Sequence, residues 1–512
     1  MTGHELVLIL DFGSQYTQLI ARRIRELGVY SEIRGPETGL EQVMAMRPRG
    51  IVLSGGPASV YDEGAPRVDP SLFGTGVPVL GICYGMQAMM QALGGTVGGG
   101  AGREYGPAVV EVLPESIFRG LPSRMQVWMS HGDHTTALPP GFRCLARSGD
   151  APFAAVQEPA RGLVGVQFHP EVAHTEHGEA LLRAFLYGTC GCRGDWSMRE
   201  FCREEVERIR AVVRDGRALM AVSGGVDSAV TALLLHRALG DRLTCLFLDN
   251  GLLRLEEGRE VRTAFQERFH LEVRHRDASE RFMEALRGVS DPEEKRRRVG
   301  ETFVRVFEEE AAALGDVGWL GQGTLYPDVI ESGAVIGPSQ TIKTHHNVGG
   351  LPERMGLQVI EPLRMLFKDE ARELGRELGL DEGFLRRHPF PGPGLAVRVL
   401  GEVTRERCDR LRRADRIFLK ELRRADWYDR CSQAFVVLLP VRTVGVMGDR
   451  RTYEEVVALR AVTTRDFMTA DWTRLPEDLL ARVATRIVNE IPGINRVVHD
   501  VTSKPPGTIE WE

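Results

Sequence analysis

Twice in this chain an apolar run breaks on a glycine-bearing turn and gives way at once to a helix-forming stretch. In the first instance Val77–Ile82 leads through Cys83 into Tyr84–Leu93, with the turn reading GICYGMQ from Gly81 to Gln87. In the second, Arg217–Val222 leads through SGGVDS, Ser223 to Ser228, into Ala229–Leu239. A strand that feeds directly into a helix is the unit of a parallel sheet, because the helix carries the chain back across the sheet face. The pattern confines the chain to α/β architecture and places its chemistry at the carboxyl ends of strands.

The first turn puts a thiol at a helix start, where unpaired N–H groups and the positive end of the helix dipole favour the thiolate. Gly81 and Gly85 let the backbone turn tightly around it. A second motif, VGVQFHPE, follows the apolar alternation Leu163–Phe168 and leaves His169 and Glu171 at a strand end. His169 is placed to take the thiol proton and Glu171 to orient the imidazole. A third, SGGP at Ser54 to Pro57, ends the apolar strand Gly50–Leu53, and its glycines can aim N–H groups at a developing oxyanion. Taken singly each has an inert reading: Cys83 as a small core residue, His169 as a surface histidine.

Together these three elements, spread over most of residues 1–190, resemble the class I glutamine amidotransferases. The resemblance implies Cys83 as nucleophile, His169 as base, Glu171 as its orienter, the N–H groups of Gly56 and Tyr84 as oxyanion hole, and Gln87 as a glutamine-binding residue. Leu6–Leu10, Gly50–Leu53 and Val77–Ile82 are expected as strands, with helices at Gln18–Leu27 and Glu41–Met46. The glycine-rich stretch Gly94–Gly102 does not fit a dinucleotide fingerprint and is expected as a loop. Around Gly188–Trp196 the sequence turns small and turn-rich, which marks the first domain boundary.

Composition bounds the remaining choices. At 512 residues the chain has room for roughly three domains. A net charge of −6 from 65 basic and 71 acidic residues provides no basic field for duplex nucleic acid. The opening MTGHELVLILDFGSQ does not read as a secretory leader, and no run approaches the roughly 20 apolar residues of a membrane span. Eight scattered cysteines disfavour a disulfide framework, and Cys190 with Cys192 lacks a zinc-like partner pair. A cytoplasmic enzyme is the expectation.

The second turn directs successive N–H groups at an anion over a helix N-terminus. It lacks the Gly-Lys-Ser/Thr ending of a Walker A loop and resembles the pyrophosphate loop of the N-type ATP pyrophosphatases. By that resemblance Ser223, Gly224, Gly225, Val226, Asp227 and Ser228 hold the pyrophosphate of ATP, with Mg²⁺ offsetting its charge. The next strand, Leu243–Leu248, ends in DNGLLR, making Leu248 and Asp249 candidates for the adenosine wall. Gly321–Thr324 reads as another strand end, with Gly323 in the ATP site. Asp328 and Glu331 are carboxylates suited to placing Mg²⁺. Lys343, with His345 and His346, is suited to meeting phosphates or the charge formed on adenylation; the adjacent histidines are not expected to bind zinc. A solvated loop is the inert reading of all of these.

HPFPGPGLAVR, His388 to Arg398, cannot continue a helix and marks the second boundary. Helices at Cys408–Arg424 and Pro476–Asn489 alternate with strands at Ala434–Val441 and Arg496–Val501, an α+β layout. The segments SQAFVVLLPVRTVGVMGDRRTYE and INRVVHDVTSKPPGTIEWE, behind the two earlier domains, make the whole chain similar to the glutamine-hydrolysing GMP synthetase family. The implied reaction is ATP-dependent amination of xanthosine monophosphate with ammonia from glutamine. The resemblance places Arg296, Gln433, Arg496, Lys504, Ile509 and Glu510 on the nucleotide and implies a homodimer. Arg298 stands where the family is commonly apolar, which leaves open which of Arg296 to Arg298 meets the substrate. The inert reading of the terminal IEWE is disorder.

The expected fold is therefore two doubly wound parallel-sheet domains, 1–195 and 196–387, followed by a smaller α+β domain, 388–512. Two rivals carry different signatures. A sulfur or nitrogen transferase acting on tRNA needs a basic, aromatic-rich face and a persulfide cysteine. A regulatory module with a dead glutaminase is opposed by intact Cys83, His169 and Glu171.

Overall fold

The structure, a computed structural model, describes residues 3–331, 356–447, 449–464, 467 and 469–512. Lys343, His345 and His346 lie outside the described residues. The chain divides into two compact units, Met1–Phe201 with Tyr326–Thr344 and Cys202–Leu325 with His345–Glu512.

The first unit is built on a nine-stranded sheet. Tyr30–Arg34, Leu6–Leu10, Gly50–Leu53, Val79–Ile82 and Leu163–Val166 lie side by side in that order, all parallel. All but the edge strand Tyr30–Arg34 are short apolar runs, buried on both faces as parallel strands are. Beyond Leu163–Val166 the sheet changes character. Ala155–Glu158, Arg143–Arg147, Thr96–Val112 and Arg124–Ala137 continue it antiparallel. Arg124–Ala137 starts with strict alternation of exposed and buried residues, the mark of a sheet with one wet face. The glycine-rich 94–102 stretch corrects its expectation as a loop: the strand Thr96–Val112 runs through most of it, and its pairing slips between Gly99 and Glu104. Glycines weaken a strand without preventing one, and they mark where a ladder is interrupted.

The turn-rich stretch 188–196 is bound into this first unit. Trp196 is buried against Tyr30, with ring centroids 4.9 Å apart, and its N–H donates to the Gly28 carbonyl. Asp195 accepts from the Glu5 N–H at 3.0 Å.

The second unit carries two sheets. The first is fully parallel, in the order Val273–Asp277, Leu243–Asp249, Ala218–Ala221, Trp319–Gly321, Gln358–Ile360. Its strands run outward both ways from Ala218–Ala221, as in a doubly wound fold. The long helix Pro292–Leu314 shows why it starts and stops where it does. Asp291 caps it by accepting from the Glu294 N–H at 2.9 Å, Pro292 opens it, glutamates fill its first turn, and Gly315 ends it at φ +74°.

The last sheet is dominated by the antiparallel pair Gln433–Met447 and Arg450–Thr463, longer than the strand expected at Ala434–Val441 and including a partner that sequence periodicity had not marked. Asp471–Trp472 and Ile494–His499 complete it, the latter parallel. Even-numbered residues Ala434, Val436 and Leu438 face the large core formed with helices Arg405–Arg424 and Glu477–Glu490. Phe435 and Val437 face the other way and are covered by Ile509 and Ala470. The C-terminal tail is thus packed onto a sheet face, which corrects the inert reading of IEWE as disorder. Among the described residues no helix is long and apolar enough to cross a membrane.

Candidate active site

The strand Val79–Ile82 delivers Cys83 to the start of the helix Tyr84–Ala92. Cys83 takes φ 51° and ψ −109°, a conformation that non-glycine residues adopt only when the surroundings enforce it. Here the surroundings are close-packed glycines. Neither Gly81 nor Gly85 has a positive φ; both serve close approach. A Cβ on Gly81 would stand 2.7 Å from the Met86 nitrogen, and one on Gly85 would overlap the Leu53 carbonyl oxygen. Gly85→Ala is therefore expected to lower stability by about 1–3 kcal/mol and to displace Cys83. Thermal denaturation together with alkylation of Cys83 checks this; unchanged values for both would show the packing to be slack.

Three residues after the end of Leu163–Val166, His169 is fixed at both ends of its backbone. Its N–H donates to the Trp128 carbonyl at 3.0 Å, and its carbonyl accepts from Thr175 Oγ1 at 2.6 Å. Its Nδ1 lies 2.7 Å from Glu171 Oε1, with both side chains buried. Tyr16 meets the ring edge to face at 5.1 Å. Burial disfavours the imidazolium, but the Glu171 carboxylate, the hydrogen bonds to Cys83 and Glu171 and the charge on sulfur outweigh it. His169 is raised to about 11 and stays protonated at neutral pH. Cys83, His169 and Glu171 therefore converge as expected of a nucleophile, its acid–base partner and the orienter of that partner.

The SGGP turn lies beside them: a Cβ on Gly55 would come within 3.1 Å of His169 Cε1. Gly56 is pressed onto Phe12, where a Cβ would stand 2.6 Å from the carbonyl oxygen. Tyr84 opens its helix, so its N–H has no acceptor within that helix. Gln87 is buried, and its Nε2 donates to the Asp133 carbonyl at 2.6 Å. This arrangement can attack an amide carbon and stabilise the resulting oxyanion.

In the second unit the SGGVDS motif runs from a turn, Ser223 to Gly225, into the first residues of the helix Val226–Leu239, with Gly225 extended as its N-cap. Ser228 Oγ donates to the Gly225 carbonyl at 3.0 Å and lies 3.1 Å from Ser223 Oγ. Gly224 has φ +80°, and a Cβ there would meet Val261 Cγ2 at 2.7 Å. Gly323 closes against the first two turns of the same helix, its Cβ position 3.5 Å from the Asp227 backbone and 3.1 Å from Thr231 Oγ1. Leu248 belongs to the core cluster, so what it offers a ligand at the strand end is backbone; Asp249 Oδ1 accepts from the Gly251 N–H at 2.9 Å.

Asp328 and Glu331 stand on the helix Tyr326–Glu331, which groups with the first unit and is anchored there by a 2.9 Å bond from the Ile33 N–H to the Tyr326 hydroxyl. The described residues contain no group of three His, Cys, Asp or Glu able to hold a metal. A magnesium ion that rides on polyphosphate needs only one or two protein carboxylates, and Asp227 in the first helical turn is the one the loop supplies.

Around the tail the structure joins Gln433 to Glu510: Gln433 Nε2 donates to Glu510 Oε1 at 2.7 Å. Lys504 Nζ donates to the Phe467 carbonyl at 2.7 Å, and Ile509 is buried. Arg496 stands apart. It pairs in register with Val456, whereas Gln433 pairs with Val462 on the same strand, a separation of about 20 Å. Arg297 and Arg298 both engage Glu294 on the solvent side, and Arg296, the least exposed of the three, pairs with the exposed Glu293.

Sequence reasoning missed the cations that hold this tail. Arg398 makes paired bonds of 2.8 and 3.1 Å to Glu510 and lies 4.1 Å from the Phe435 ring centroid. Arg460 donates to the Thr502 and Thr508 carbonyls, the latter at 3.0 Å. Lys295 Nζ reaches the Val399 carbonyl at 2.8 Å and Glu512 Oε2 at 2.5 Å. Lys295 directly precedes the run Arg296 to Arg298 and Arg398 ends HPFPGPGLAVR, both singled out above, but nothing in a linear sequence marks a cation as fully buried.

Residues 8–189 match the family Glutamine amidotransferase class-I, and residues 420–511 match the GMP synthase C terminal domain. The chain is 56% identical to the GMP synthase [glutamine-hydrolyzing] of Thermosynechococcus vestitus, over 99% of this chain and 96% of the relative. It is also 56% identical to the protein of that name from Heliobacterium modesticaldum, over 99% of each. A glutamine amidotransferase crystal structure from Thermotoga maritima aligns with 36% of this chain and 98% of its own, at 23% identity and a TM-score of 0.30.

Proposed function

This chain belongs to the glutamine-hydrolysing GMP synthase family, and from that premise we propose that it aminates xanthosine monophosphate to GMP with ammonia drawn from glutamine. The observation that carries the reading is the convergence of Cys83, His169 and Glu171 at a glycine-packed elbow, on a chain matched along its whole length by that family. The Cys83 thiolate attacks the glutamine amide carbon. The oxyanion is held by the N–H groups of Gly56 and Tyr84, with Gln87 shaping the glutamine pocket. The His169 imidazolium protonates the departing nitrogen, releasing ammonia and leaving a glutamyl thioester. Water, giving its proton to the now neutral His169, cleaves the thioester to glutamate and restores the thiolate.

In the second half-reaction the C2 oxygen of xanthosine monophosphate displaces pyrophosphate from the α-phosphorus of ATP. Ammonia then displaces AMP at C2. Ser223, Gly224, Gly225, Val226, Asp227 and Ser228 hold the pyrophosphate, with Leu248, Asp249 and Gly323 around the adenosine. Mg²⁺, when bound, would offset the pyrophosphate charge; Asp227 would hold it from the loop, and Asp328 and Glu331 are proposed as carboxylates that help place it. Lys343 is assigned to the charge formed on adenylation. Arg296, Gln433, Lys504, Ile509 and Glu510 form the nucleotide site, supported by the Gln433–Glu510 bond. Glu293 is exposed, so Arg296 can leave it for a phosphate at small cost.

The domain division 1–195, 196–387 and 388–512 goes with this assignment of steps. A cytoplasmic homodimer completes it, supported by exposed Val441, Val444, Val446, Tyr453, Val498 and Val501 in the C-terminal part. The test is to supply purified protein with ATP, Mg²⁺, xanthosine monophosphate and either glutamine or ammonium, and to measure GMP, AMP and pyrophosphate. GMP is expected from both nitrogen donors; none from either would overturn the assignment.

A further inference from the structure

Gln167 stands within the VGVQFHPE motif, two residues before His169, and is fully buried, its backbone N–H bonded to the Ala154 carbonyl at 2.8 Å. Its side chain ends on the nucleophile: Nε2 lies 3.7 Å from Cys83 Sγ, within range of an N–H···S bond. The other end, Oε1, accepts from Gln87 Nε2 at 3.3 Å, and Gln87 Nε2 also donates to the Asp133 carbonyl at 2.6 Å. These contacts fix a direction. A backbone carbonyl only accepts, so Gln87 must turn its NH₂ group toward Asp133. The second N–H of that group then falls on Gln167, which must answer with its oxygen. Only the NH₂ of Gln167 is left for sulfur.

We propose that Gln167 is a catalytic residue that stabilises the Cys83 thiolate by hydrogen bonding, and that Gln87 is the positioning residue that holds it in the donating orientation. Sulfur in its two states has different partners. The thiol can donate to the Ser130 carbonyl, 3.5 Å away. The thiolate accepts from Gln167 and interacts with the His169 imidazolium. The same anion forms at two points of the cycle, before attack and when the thioester breaks, and the amide serves it at both. Gln167 moves no proton in either. Hydrogen bonds to charged groups are strong enough for this to be visible in rates.

The proposal rests on Cys83 being the glutaminase nucleophile, and the experiment separates the two. Gln167→Met keeps the volume and removes the donor; Gln167→Glu keeps an acceptor and sets a negative charge against sulfur. Alkylation of Cys83 by iodoacetamide is followed by mass across pH 5 to 10, alongside glutaminase kcat and KM. In Gln167→Met the alkylation profile is expected to move up by about one unit. Its kcat is expected to fall roughly 10- to 100-fold, with KM changing much less. Gln167→Glu is expected to be worse on every measure. Gln87→Met, which frees Gln167 to rotate, is expected to move the profile in the same direction by less, and it serves if Gln167→Met does not fold. An alkylation profile unchanged in Gln167→Met and Gln167→Glu overturns the proposal, even if activity falls. If Cys83→Ala still hydrolysed glutamine, it is the nucleophile assignment that would fail instead.

Discussion

Replacing Cys83 with alanine is expected to lower glutamine-dependent GMP formation by at least about 10³-fold, while leaving ammonium-dependent formation within about twofold of the parent. The size of the loss follows from the chemistry. Without the sulfur no thioester forms, and water held near Glu171 and the oxyanion donors is a poor substitute nucleophile. The persistence of the ammonium reaction follows from the grouping of the chain. Cys83, His169 and Glu171 belong to the first compact unit, and the SGGVDS loop with its parallel sheet belongs to the second. A Cβ and hydrogen in place of Sγ also leave intact the packing of Gly81 and Gly85, which shapes the elbow. His169→Ala is expected to share the phenotype and to add a second one. His169, raised to about 11, stays an imidazolium between pH 6 and 9, so its attraction for a negative sulfur is present throughout that range. In His169→Ala that attraction is gone, and iodoacetamide alkylation of Cys83 should be slower than in the parent at neutral pH. Loss of both nitrogen donors in Cys83→Ala, or alkylation that His169→Ala leaves unchanged, would refute this division of labour.

Much of this was legible in the linear sequence because the chemistry depends on local punctuation. An apolar strand, a glycine and a cysteine at a helix start require each other within seven residues, and the same holds for SGGVDS. Strand ends such as Leu248 and Gly323 were equally visible. The longer-range features were hidden for physical reasons. The antiparallel half of the first sheet is carried by strands whose apolar residues alternate with polar ones and include Gly98 and Gly99, so hydrophobic runs do not announce it. The partner strand Arg450–Thr463 begins with charged residues because its first half is exposed, and only Val456–Val462 carry core packing. Gln167 was printed inside a motif read for its histidine and glutamate. Its role depends on Gln87, 80 residues earlier, and on a carbonyl of Asp133 that no side-chain pattern reveals.

The buried cations of the second unit lead to the other large effect. Lys295 is fully buried, and Glu512, the last residue of the tail, is nearly so. Removing one member of such a pair leaves an uncompensated charge out of water, at a cost of about 3–5 kcal/mol. Lys295→Met is therefore expected to loosen the tail rather than merely trim a contact. Amide hydrogen exchange over 500–512 should accelerate by roughly 10²- to 10³-fold. Because Ile509 and Glu510 lie on the same tail, the KM for xanthosine monophosphate should rise with it. Glu512→Gln should do less, since a neutral amide can still accept from the ammonium and Val399 keeps its bond. The combined Lys295→Met, Glu512→Gln chain has no buried charge to strand and should recover most of the lost protection, so the two changes will not add. Additive losses would mean that each side chain acts through its own packing. Unaltered exchange in Lys295→Met would mean that Arg398 on Glu510 and Arg460 on the Thr502 and Thr508 carbonyls hold the tail without help.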